Sequence, residues 1–61
     1  QSLYLALEEL PPKERSSLLL FYIGGYSVRE IAGIVDATED AVKKQLSRGR
    51  EKLKTLLKDE G

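Results

Sequence analysis

The 61-residue chain contains no cysteine, no histidine and no methionine. Without Cys or His it can build neither a disulfide framework nor a thiolate or imidazole metal site, and it lacks the nucleophile and imidazole pair of the hydrolases. No enzymatic activity is expected, and neither a metal nor a cofactor. Long apolar runs are also missing. The longest, Leu18 to Ile23, has six residues, whereas a bilayer span needs about 20. No charged-then-apolar leader precedes the domain, so no export and no membrane partner are expected, and the lack of Cys fits the cytoplasm. The chain opens on Gln1 without an initiator Met, which predicts a piece of a longer protein.

A hydrophobic content of 41% is nevertheless too high for a disordered chain. A domain near this length buries only about 60% of its unfolded surface, so one compact unit over residues 1–61 is expected. Ten Lys plus Arg balance ten Asp plus Glu, but they are not mixed evenly. Residues 1–42 carry three cations against seven carboxylates, and residues 43–61 carry seven against three. A basic second half suits a polyanionic partner, or else a merely solvated helix face.

Turn signals divide the chain into four helix-sized pieces, with no convincing strand alternation. Leu3, Leu7 and Leu10 stand at helical spacing and predict a first helix over about 2–9. Leu10-Pro11-Pro12 ends it, and Pro12 suits the first turn of a second helix over about 12–23. That helix is apolar around its whole circumference in its second half. It is therefore expected at the centre, covered on every side except at Phe21, which is the residue expected to face outward. Gly24-Gly25 supplies a left-handed stop. Ser27 and Glu30 form a capping box for a third helix over about 28–35, whose buried stripe is Val28, Ile31, Ala32 and Val35.

After a turn at Asp36-Ala37, Thr38 is the expected N-cap of a long fourth helix over about 39–58. Val42, Leu46, Gly49, Leu53 and Leu56 step by four and three and define its inner face. Gly49 marks a close contact with helix two or three. Asp40, Lys43, Lys44, Ser47, Arg48, Glu51 and Lys54 occupy the opposite, mostly basic face. A short helix, a tight turn and a longer helix exposing cations near its N-terminus is a helix-turn-helix arrangement. An α-helix fits the major groove, where Lys and Arg donate to guanine O6 and N7. Lys43, Lys44, Ser47 and Arg48 face outward together and are the base-contacting candidates.

The order of Leu10-Pro11-Pro12-Lys13-Glu14-Arg15, Leu18-Leu19-Leu20, Tyr22, Gly25-Tyr26-Ser27, Glu30-Ile31-Ala32 and Val42-Lys43, followed by Leu46-Ser47-Arg48-Gly49-Arg50-Glu51-Lys52-Leu53, resembles region 4 of bacterial RNA polymerase sigma factors. The extracytoplasmic-function group is the nearest likeness. The resemblance implies a monomeric, all-α domain that recognises the minus-35 promoter element in double-stranded DNA through its last helix. It also implies that the first two helices engage the polymerase β flap, and that an anti-sigma factor can cover the same surfaces. Carried over by position, Lys43, Lys44, Ser47 and Arg48 fall on base edges, while Ser27, Arg29, Thr38 and Arg50 fall near phosphates. Hydroxyls at helix N-caps and guanidinium donors are suited to that second task.

Three departures from the family pattern stand out. Asp36 replaces the usual turn glycine, and Asp tolerates positive φ better than most residues. Glu39 and Asp40 bring carboxylates toward the DNA backbone, where they repel phosphate unless Asp40 accepts from cytosine N4. Phe21 stands where a charged residue is common and is the candidate partner contact. Two other readings remain open at this stage. One is a dimeric response-regulator-type output domain, and the other is a helical module that binds only protein.

Overall fold

The computed structural model describes residues 2–58; Asp59 and Glu60, counted above in the charge of the second half, lie outside them. The described residues form helices and connecting turns with no strand. Helix α1 spans Leu3–Glu8, capped by the Ser2 hydroxyl, which accepts from the Leu5 N–H at 3.2 Å. Helix α2 spans Pro12–Leu18 and runs without a break into a widened π-helical turn over Leu19–Ile23. Helices α3 (Val28–Ile34) and α4 (Glu39–Lys58) complete the domain. All four sequence-derived segments are present.

Each end has an identifiable physical cause. The widened turn of α2 closes with the Gly24 N–H donating to Leu19 O and the Tyr26 N–H to Leu20 O, both at 3.0 Å. Gly25 reverses the chain there at φ 75°, a conformation that costs glycine little. Helix α3 stops in the same manner without a glycine. Asp36 takes φ 56°, and the Ala37 N–H reaches back to Ala32 O at 2.9 Å, the bond pattern of a Schellman stop. The turn into α4 thus has a left-handed geometry that glycine takes most readily, held here by an aspartate.

Helix α4 packs against α1, α2 and α3, most extensively against α2. The core consists of Leu10, Leu18, Ile31, Ala32, Val42 and Leu46, with Val28, Val35 and Leu53 among the side chains packed around it. Burying a side chain such as Ile31 or Val42, both fully enclosed, contributes about 1.5–3 kcal/mol. Gly49 lets α2 approach α4 closely. A Cβ at that position would lie 2.7 Å from Leu18 Cδ1, so the expected close contact is with helix two.

Three expectations are corrected. Phe21 does not face outward; it is half-buried and packs against the core, while its neighbours Tyr22 and Ile23 are 56% and 77% exposed. Nor is the apolar half of helix two covered on every side. The domain has too few elements to enclose it, and the wider π-helical turn changes the angular step between successive side chains. In α1 the enclosed residue is Ala6, and Leu3 of the expected stripe is exposed.

Candidate nucleic-acid interface

The helix-turn-helix is formed by α3, the turn at 35–38 and α4. Ser27 opens it with a complete capping box: the Glu30 N–H donates to Ser27 Oγ at 3.1 Å, and the Ser27 N–H donates to Glu30 Oε1 at 2.9 Å. The backbone N–H and then the hydroxyl of Ser27 hold the Glu30 carboxyl below its ordinary range. Thr38 caps α4, its Oγ1 accepting from the Ala41 N–H at 3.0 Å. Both hydroxyls sit at helix N-termini, where unpaired backbone N–H groups and the macrodipole favour an anion.

The inner face of α4 is fixed by three different devices. Val42, Leu46 and Gly49 are buried. The fully enclosed Ser17 hydroxyl of α2 donates to Gln45 Oε1 at 2.6 Å. Two turns further on, Lys52 Nζ lies 2.9 Å from Oε1 of the buried Glu14 and donates to its Oε2 at 3.1 Å. Together with the contact between Gly49 and Leu18, these bonds hold the helix against rotation about its own axis.

Lys43, Lys44, Ser47 and Arg48 are all exposed on the opposite face, and none of their side chains makes a hydrogen bond or ion pair among the described residues. Arg29 is exposed on α3. Arg50 is exposed as well, but its Nη1 donates to the Tyr22 hydroxyl at 2.9 Å. The Lys43, Ser47 and Arg50 positions lie along one side of α4, and Ser47, Arg50, Glu51 and Lys54 line a shallow groove of about 320 Å³. Glu39 and Asp40 are exposed in the first turn, where carboxylates favour the helix dipole.

A profile of the family described as Sigma-70, region 4, matches residues 1–53. The chain belongs to this family. Neither a curated protein nor a solved structure gives a significant match. A sigma-70 region 4 domain is a non-catalytic DNA-binding unit that serves promoter recognition in transcription initiation, and the family pairs with DNA and RNA polymerase. No described helix is long and apolar enough to cross a membrane.

The region 4 fold also contains features that sequence reasoning missed. Glu14 and Ser17 are polar members of the buried stripe that includes Leu18, and their i, i+3, i+4 spacing was available as a signal. The bond between Tyr22 and Arg50 joins residues 28 apart and had no local signal. An apolar groove of about 310 Å³ runs between α1 and the end of α2, lined by Leu3, Leu7, Leu19, Tyr22 and Ile23 with Leu53 beneath.

Proposed function

We propose that this region 4 domain recognises a minus-35 promoter element by seating α4 in the major groove. Lys43, Lys44, Ser47 and Arg48 reach base edges, while Ser27, Arg29, Thr38 and Arg50 hold phosphates. The observation that carries this reading is the division of α4 into an inner face tied to α2 and an outer face whose basic side chains are free for a ligand. The 20-residue helix is about 30 Å long, enough to cross the groove with its first turns against the bases. The domain acts as a monomer within a longer cytoplasmic sigma factor of the extracytoplasmic-function type.

The apolar groove between α1 and α2 supports the second half of the reading, a contact with the polymerase β flap. The same exposed side chains offer an anti-sigma factor its site. The partner contact thus moves from Phe21 to Leu3, Leu19, Tyr22 and Ile23. The inner residues of α4 are used within one chain, which supports this reading over the dimeric output domain. The groove is also what favours the protein-only reading, together with Glu39 and Asp40 near the DNA side.

An amide chemical-shift titration with promoter duplexes, at low and then high salt, separates the two. Shifts over residues 43–50 and 27–29 that fade with salt support promoter reading. A silent α4 face would overturn it in favour of a protein-only module.

A further inference from the structure

We propose that Tyr22 is a positioning residue for DNA binding, holding the Arg50 guanidinium ready for a phosphate. The inference rests on the promoter-reading proposal and adds to it a residue from a different helix. Tyr22 lies in the π-helical turn at the end of α2, outside the helix-turn-helix. Its ring stands edge-on to Phe21, with centroids 5.0 Å apart and planes at 82°. Phe21 in turn packs against the core. The exposed Tyr22 ring is therefore braced, and its hydroxyl accepts from Arg50 Nη1 at 2.9 Å.

An exposed arginine on a helix samples many rotamers, and a ligand that binds it must immobilise it. The Tyr22 hydroxyl occupies one of the guanidinium's five N–H donors and restricts the side chain in advance. The remaining donors stay available beside Ser47, which shares the shallow groove with Arg50. Since Arg50 is offered to a phosphate and not to a base, the benefit is independent of sequence.

The test is a double-mutant cycle on the 61-residue chain: wild type, Tyr22→Phe, Arg50→Ala and the double variant, titrated against promoter and random duplexes. Tyr22→Phe removes only the hydroxyl. It is expected to weaken both duplexes by about three- to tenfold, the range set by immobilising one long side chain. In the Arg50→Ala background it is expected to have no further effect. An equal loss in both backgrounds would show that Tyr22 acts independently of Arg50, and an unchanged or tighter affinity would show that the hydroxyl does not assist binding; either overturns the proposal. The Arg50 Nε–Hε resonance gives a readout without DNA. It should move toward the position of a free side chain in Tyr22→Phe, and an unaltered resonance would also overturn the proposal. Should the wild-type chain bind no duplex in a salt-dependent manner, the promoter reading fails and this proposal with it, while the resonance still reports whether the contact forms.

Discussion

Single side chains divide into those proposed to specify DNA and those that hold the helix. Arg48, exposed and without a hydrogen-bond or ion-pair partner among the described residues, is expected to read a base. Arg48→Ala should cost about 1–3 kcal/mol on the preferred duplex and relax preference there, whereas Arg50→Ala should weaken preferred and random duplexes alike. Competition binding with both duplexes checks the contrast. The glycines make a second contrast. At Gly49 a Cβ would press on the enclosed Leu18, 2.7 Å from Cδ1 and 3.2 Å from Cγ, while at Gly33 it would meet nothing within 4 Å. Gly49→Ala should therefore destabilise by about 1 kcal/mol, overpacking outweighing helix propensity, and Gly33→Ala should stabilise by about 0.5–1 kcal/mol. Urea denaturation would show the opposite signs. The role of Gly49 was legible because it interrupts an apolar stripe of α4. The inward turn of Phe21 was not, because six consecutive apolar residues carry no periodicity from which to choose a face.

The helices themselves were legible almost to the residue, since caps and stops are local chemistry. Ser27, Glu30, Thr38 and Asp36 each act where the sequence placed them. The widened turn at the end of α2 was not legible, because it depends on how Leu18, Leu20 and Phe21 find the core rather than on neighbours in sequence. The capping box has a pH signature. Hydrogen bonds from Ser27 lower the Glu30 carboxyl from its unfolded value of 4.5, so the folded state binds this proton less readily than the unfolded chain. Its stabilising contribution is complete above the unfolded value and disappears as pH falls through the lower, folded one. Melting temperature followed from neutral pH into acid should accordingly decline less steeply in Glu30→Gln than in the wild type, with the α3 amides reporting the difference.

Across the whole molecule, a formal charge of zero conceals a strongly divided surface. Contacts from Lys and Arg to about four to six phosphates would give a log–log salt slope near −0.9 per phosphate. Binding isotherms between low and moderate salt should show that slope, and Arg50→Ala should reduce it by about one phosphate. On the proposed reading the apolar groove between α1 and the end of α2 is offered to a protein partner, and it borders the DNA side at the bond between Tyr22 and Arg50. The basic side of this division was visible in the charge pattern, but the groove depended on Leu3 remaining uncovered, which only the packed arrangement reveals. The fastening of α4 through Ser17–Gln45, Glu14–Lys52 and Gly49 has a further consequence. On the proposed reading, folding and sequence preference depend on different residues of one helix, so a library varied at 43, 44, 47 and 48 without Gly or Pro can explore new promoters while every contact that fastens α4 is kept.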